Sequence, residues 1–304
     1  MKKMLSILLY GLLGIFLVVY VIFRFFLNFE PSEEDLQATF NGKAYQPEHV
    51  SYNVGDETMH YVAAGPQDAP VMLLVHGSPG SWNAYASYLA DSNFQSRYRM
   101  ISVDRIGYGK STFGHARSSL AHQAHCLMPL LESIPDSTPV MAVGHSYGVP
   151  VLLRLAMDHP KALDGMVLLA GLSDPEYEKR PAILGPFRSK LLRWLLPPDL
   201  DVSNREIFPL KGELESMMPM WENISIPTAV IQGGKDMLVN PKHADFIEEK
   251  IINAEVSMHR LPEANHFIPW SHYDTCYAVI EGMAEEVLMP KDTISLDSEE
   301  MIEE

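Results

Sequence analysis

Short apolar runs alternate along this chain with longer stretches whose apolar positions recur every three or four residues. The runs "PVMLLVHG", "RYRMISVD", "PVMAVGHS", "GMVLLAG", "IPTAVIQGG" and "AEVSMHRLP" predict strands. The intervening "SSLAHQAHCLMPLLESI", "YGVPVLLRLAMDHP", "NPKHADFIEEKI" and "YDTCYAVIEGMAEEVL" predict amphipathic helices. Strands that are continuously apolar rather than alternating are buried on both faces, so the alternation predicts a mostly parallel sheet with helices on both sides. Ahead of it, "HVSYNVGDETMHYVAAG" alternates polar and apolar on either side of "GDE" and predicts an antiparallel hairpin. The expected architecture is an α/β fold with an eight-stranded sheet over residues 47–290.

Two stretches break this rhythm. Residues 172–224, between the fourth and fifth of the strand runs, are rich in Pro, Leu, Trp and Met and far exceed a plain crossover. They predict a helical cap over the carboxyl ends of the strands, the edge where open α/β sheets bind ligands. Within the cap, "KLLRWLLPP" could lay Leu191, Leu192, Trp194 and Leu195 on a bilayer with Lys190 and Arg193 at the headgroups. The simpler expectation is that these leucines pack the cap onto the core. At the other break, residues 1–29, an apolar run from Met4 to Phe23 follows Lys2 and Lys3 and is closed by Arg24. Such a run is long enough to span a hydrocarbon core as a helix. No small-x-small cleavage site follows, so an uncleaved anchor is expected. The excess of positive charge before the run places the N-terminus in the cytoplasm and the main domain on the far side. Residues 30–46 read as a polar linker.

The charge balance narrows the possible partners. A formal net charge of -16 excludes the clustered Lys/Arg that nucleic-acid binding requires. Part of that charge sits in a solvated acidic tail, 291–304. The two cysteines, Cys126 and Cys276, form no CxxC motif, which excludes a disulfide scaffold and a zinc ribbon. They are expected on opposite faces of the sheet and unbonded. His122 and His125 lie on one helix with no carboxylate or Cys beside them and read as surface or groove residues rather than metal ligands.

Candidate chemistry begins at "VGHSYGVP". A serine between glycines, after a strand and before a helix, meets the context of a nucleophile on a sharp turn, with Ser146 in a strained conformation. Such a serine needs a base and an acid that orients the base, in the order Ser, Asp or Glu, His. Asp236 in "VIQGGKDMLV" and His266 in "LPEANHFIPW" each follow a strand end, so both reach the same sheet edge as Ser146. Asp174 in "GLSDPE" also follows a strand end and is the alternative acid. Asp104 reads as a loop-fixing residue, His60 as part of the hairpin, His145 as pointing away beside the nucleophile, and His243 as a surface or helix-end residue. Two backbone N–H groups complete the set as an oxyanion hole, from Tyr147 after the nucleophile and from Ser78 in "VHGSPGSW".

With "HGSPG", "DRIGYGKS", "GHSYG", "GGKD" and "ANHF" in this order, the chain resembles the α/β-hydrolase superfamily across roughly residues 48–288. The resemblance implies Ser146 as nucleophile, His266 as general base, Asp236 as its acid, and Ser78 and Tyr147 as oxyanion donors. It implies no cofactor and no metal. "HGSPG" and "DRIGYGKS" look like the branch holding epoxide hydrolases, haloalkane dehalogenases, carboxylesterases and C–C bond hydrolases. The first two of these use Asp at the elbow. Ser146 therefore points to acyl transfer. The expectation is a membrane-anchored serine hydrolase of the esterase or lipase kind, acting on a small-molecule or lipid-like ester. Thioester, amide and C–C substrates remain open, and a catalytically silent binding protein is disfavoured because no triad member is missing.

Overall fold

The computed structural model describes residues 31–178 and 182–289, together with a few helical positions between residues 3 and 21. Eight strands form one sheet: β1 Glu48–Val54, β2 Glu57–Ala64, β3 Val71–Val75, β4 Arg99–Asp104, β5 Val140–His145, β6 Gly165–Leu169, β7 Thr228–Gly233 and β8 Val256–Leu261. Their order is β1-β2-β4-β3-β5-β6-β7-β8. The hairpin β1/β2 and the β2/β4 pair are antiparallel, and every pair from β4 onward is parallel. Val75 pairs Gly144, His145 pairs Leu169, and Gly233 pairs Leu261. The carboxyl ends of β3, β5, β6, β7 and β8 thus line up along one edge.

Both faces of the sheet are buried, which is why its central strands read as unbroken apolar runs. Leu73, Val75 and Ala142 enter one hydrophobic cluster with Leu127, Leu153 and Leu155 from the helices Leu120–Glu132 and Gly148–Asp158. Their chain neighbours Met72, Leu74, Met141 and Val143 turn to the other face and pack with Tyr88, Phe94, Cys276 and Ile280. This alternation is the period-2 geometry of a strand, applied to a core on each side. Burying one such leucine contributes roughly 1.5–3 kcal/mol. Cys126 and Cys276 fall in the two different clusters, as their helices' opposite sides require.

Several elements differ from expectation. In the stretch expected as a linker, Glu33–Phe40 forms a helix. Its Ser32 makes a capping box with Asp35, and Phe40 is buried in the core. The cap between β6 and β7 includes the short helix Lys190–Arg193 and the longer Pro198–Met217. Leu191 and Trp194 do not pack onto the core. They are 76% and 61% exposed, because a four-residue helix offers no second turn to cover them, and the chain turns inward only at the buried Leu196. Among the described residues no helix is long and apolar enough to cross a membrane. The anchor expected over residues 1–29 lies outside the described residues save those few positions, and so does the acidic tail.

Candidate active site

β5 ends at His145, and the chain reverses at once into the helix Gly148–Asp158. Ser146, at the apex, has φ 52°, a conformation L-residues adopt only under local constraint. The constraint is visible. The Ser146 N–H donates to the Leu169 carbonyl of β6 (2.9 Å), and its own carbonyl accepts from the Val149 N–H (3.1 Å). A Cβ at Gly148 would stand 2.3 Å from the Val75 carbonyl oxygen, so only glycine lets the helix start this close to β3.

The two other strand-end residues meet across a second close approach. A Cβ at Gly233 would lie 2.5 Å from the Asn265 carbonyl oxygen, so the β7 and β8 loops touch backbone to backbone. There His266 Nδ1 donates to Asp236 Oδ2 at 2.7 Å. The second oxygen of Asp236 accepts from the Leu238 and Val239 N–H groups (2.9 and 2.8 Å). Burial alone would raise the Asp236 pKa, but the His266 and backbone hydrogen bonds hold it below the ordinary carboxylate value. Both residues are largely buried.

Ser146, Asp236 and His266 line one cavity of about 640 Å³, together with Ser78, Tyr147, Leu172, Tyr177, Ile207, Met237 and Leu238. The oxyanion candidates therefore face the space the nucleophile candidate faces, and Tyr177 and Ile207 are contributed by the cap. A larger groove of about 760 Å³ runs along the opposite edge of the sheet, beside Val140 at the start of β5. It is remote from Ser146, which follows the other end of that strand.

Asp174, the alternative acid, is not brought to His266. Its carboxylate closes a turn by accepting from the Glu176 N–H (2.7 Å), and its own N–H donates to His243 Nδ1 (2.9 Å). His243 sits at a helix start, as one of its two expected readings had it, but it is not on the surface. It is buried, it lines the cavity, and its Nδ1 also accepts from the Ser173 N–H (3.0 Å). Burial lowers its pKa to about 4, so the ring is neutral. His145 points off the elbow, as expected. Its Nε2 donates to the His266 carbonyl (3.1 Å), tying the elbow to the loop that carries the base candidate. Burial and the neighbouring His266 lower the His145 pKa to about 3.

Three further groups have partners that the sequence does not show. Glu206, on the cap helix Pro198–Met217, is fully buried against Arg105 and lies beside the oxyanion loop. His60 pairs with Asp104 at 2.7 Å, and Asp104 also accepts from the Trp82 and Lys110 N–H groups, which bears out its loop-fixing role. His122 does have a carboxylate and a thiol beside it: Glu57 Oε2 lies at 2.6 Å and Cys126 Sγ at 3.5 Å. The correction follows from β2, which carries Glu57 across 65 residues to the helix. Among the described residues these three form the one group able to hold a cation, though Arg117 already neutralises Glu57. Burial and the adjacent Glu57 raise the Cys126 pKa to about 12. Only the i,i+4 spacing of His122 and Cys126 was available in the sequence.

Comparison with known proteins agrees with this fold. The family model of the α/β hydrolase fold matches residues 70–199. Mouse epoxide hydrolase 4 is 31% identical over 113 residues, covering 36% of this chain and 30% of the relative. Mouse epoxide hydrolase 3 is 24% identical over 264 residues, 70% of each chain. The chain spans about a third of the length of several curated relatives it matches, epoxide hydrolase 3 apart. Among solved structures, a membrane phospholipase A superposes with a TM-score of 0.59 at 18% identity, covering 93% of this chain and 99% of that one. An enol-lactonase from Burkholderia xenovorans LB400 gives 0.59 at 15% identity, covering 77% and 99%. The chain has the α/β-hydrolase fold.

Proposed function

We propose that this protein is a serine hydrolase that cleaves a carboxylic ester through an acyl-enzyme. Ser146 Oγ attacks the ester carbonyl while His266 Nε2 takes its proton, and the backbone N–H groups of Ser78 and Tyr147 receive the developing oxyanion. Collapse of the tetrahedral adduct expels the alcohol, which takes the proton back from His266. A water then repeats the sequence with the acyl-enzyme, releasing the acid and free Ser146. Asp236 holds the imidazole with Nδ1 protonated, leaving Nε2 as the base. One observation carries this reading: a serine on a positive-φ turn shares its cavity with a histidine hydrogen-bonded to a buried aspartate.

The relatives named epoxide hydrolases bear on the choice of chemistry. Where that branch carries Asp at the elbow this chain has Ser146, and a hydroxyl nucleophile favours acyl transfer over alkyl-ester formation. The lining supports a lipophilic acyl group, since Leu172, Ile207 and Val239 face the cavity and its mouth carries Met237 and Leu238, 96% and 68% exposed. We place the enzyme on a membrane through residues 1–29, with the catalytic domain outside the cytoplasm. The exposed Leu191 and Trp194, with the Tyr20 ring edge-on to Trp194 at 5.3 Å, support a cap that rests on the same membrane.

A fluorophosphonate probe tests the chemistry directly. The wild type is expected to be labelled and Ser146→Ala is not. An unlabelled wild type, or undiminished labelling of the variant, refutes the proposal. p-Nitrophenyl esters of graded chain length, assayed with and without detergent, then separate a short-chain esterase from a lipid hydrolase.

A further inference from the structure

One carboxylate in the cap is the convergence point of the groups around the oxyanion loop. Glu206 Oε2 accepts from the Tyr108 hydroxyl (2.8 Å), the Ser78 hydroxyl (3.0 Å) and Arg105 Nη2 (3.1 Å). Its Oε1 accepts from Arg105 Nη1 (2.9 Å) and Gln123 Nε2 (3.2 Å). The Arg105–Glu206 contact is a two-armed ion pair with both partners almost wholly buried, and it joins the cap helix to the loop after β4.

The rest of the guanidinium holds the backbone just ahead of Ser78. Arg105 Nε donates to the His76 carbonyl (3.0 Å), and Nη2 donates to the Gly77 carbonyl (2.9 Å). His76 Nδ1 donates to the same Gly77 oxygen at 2.7 Å, and its Nε2 accepts from the Arg105 N–H (3.0 Å). The Gly77 carbonyl and the Ser78 N–H belong to one planar peptide unit. Fixing the oxygen fixes the direction of the N–H, and two donors on that oxygen polarise the N–H as well. Arg105 also lies 4.7 Å from the centre of the Tyr147 ring, so it touches the residue supplying the other proposed donor.

We propose that Arg105 and Glu206 are a positioning pair that makes the oxyanion hole depend on the seating of the cap. The proposal rests on the serine-hydrolase reading above. Neither side chain needs to touch the substrate. Arg105 orients the Gly77–Ser78 peptide and backs Tyr147, while Glu206 orients and neutralises Arg105. A cap lifted from the sheet takes Glu206 with it and leaves Arg105 free to turn away from Gly77. The hole is thus complete only when the cap is closed over the cavity, which couples substrate enclosure to catalytic competence.

The test uses the full chain and p-nitrophenyl butyrate. Arg105→Lys cannot span both carboxylate oxygens and both carbonyls with one ammonium group. It is expected to lower kcat about 100-fold, the cost of a misplaced oxyanion donor, while KM changes less than about threefold. The double variant Arg105→Met/Glu206→Leu removes the pair without stranding a buried charge. It carries the test if the single variant does not fold, and it too should lose kcat about 100-fold. A purely structural staple predicts instead that this double variant, once folded, turns over at the wild-type rate. That result, or a loss confined to KM, overturns the proposal. Failure of the serine-hydrolase reading shows separately, as a wild type that neither labels with fluorophosphonate nor cleaves the ester.

Discussion

Among the described residues, two histidine–aspartate pairs share the same geometry. His266 and Asp236 meet at 2.7 Å through Nδ1 and Oδ2, and so do His60 and Asp104. Both aspartates take two backbone N–H groups as well, from Leu238 and Val239 in one case and from Trp82 and Lys110 in the other. Both carboxyl groups are held below the ordinary carboxylate pKa. In each, hydrogen bonds from histidine and backbone overcome the opposing effect of burial. The difference lies on the far side of the imidazole. His266 lines the cavity that Ser146 also faces, whereas His60 Nε2 meets the ring of His49 at 3.1 Å. An aspartate can orient an imidazole anywhere in a protein. Proton transfer also needs a free ring nitrogen beside a reacting atom, and of the two rings only His266 shares a cavity with Ser146.

The comparison breaks most sharply at the acid. Asp236→Asn is expected to lower kcat on the order of 10⁴-fold, by stabilising the wrong imidazole tautomer. Asp174→Asn should leave kcat within about threefold, since Asp174 closes a turn beside Glu176 rather than meeting His266. Steady-state ester hydrolysis by the two variants decides between them. Loss of turnover only in the Asp174 variant would mean that the acid has been assigned wrongly.

Asp104→Asn probes the other pair, and its effect belongs to stability. The new amide would set an N–H either against His60 and the Lys110 N–H or against the Trp82 N–H, in a site without solvent to compensate. The expected cost is about 3 kcal/mol of unfolding free energy in a urea titration. Folded protein should keep kcat within about threefold. A variant of wild-type stability that is catalytically dead would reverse the roles given to the two pairs.

How much of this was readable beforehand follows from the distance over which each feature is determined. Central strands such as Val71–Val75 and Val140–His145 announce themselves because a sheet covered on both faces needs unbroken apolar runs. Ser146, Asp236 and His266 were legible because each follows such a run, and parallel strands end on a common edge. Glu206 left no trace. It is one acidic residue in a helix of mixed polarity, and its burial arises only when the cap folds back onto Arg105. His243 was hidden likewise, because its partners Ser173 and Asp174 lie 70 and 69 residues away. Glu57, His122 and Cys126 meet for the same reason. The exposure of Leu191 and Trp194 ran against the expectation that apolar residues pack inward, which composition alone could not have overturned.

His243 supplies the last and smallest test, as an imidazole that faces donors instead of a carboxylate. Its Nδ1 accepts two backbone N–H groups, so protonating it would cost both hydrogen bonds and strand a charge. Its pKa of about 4 lies below the ordinary histidine value of 6.5. Below pH 6.5 the unfolded chain therefore takes up a proton that the folded chain refuses, so stability falls with pH until the folded ring also titrates near 4. At pH 5 this group alone should reduce stability by about 2 kcal/mol relative to pH 8. His76 and His145 are each depressed to about 3 and add to the same slope. His243→Asn keeps an acceptor for Ser173 and Asp174 but cannot take the proton. Urea unfolding of both proteins at pH 8 and pH 5 should show a difference between the two pH values that is smaller by about 2 kcal/mol in the variant. An unchanged difference would show that the ring is protonated in the folded protein. A histidine backed by amides would then behave like one backed by a carboxylate.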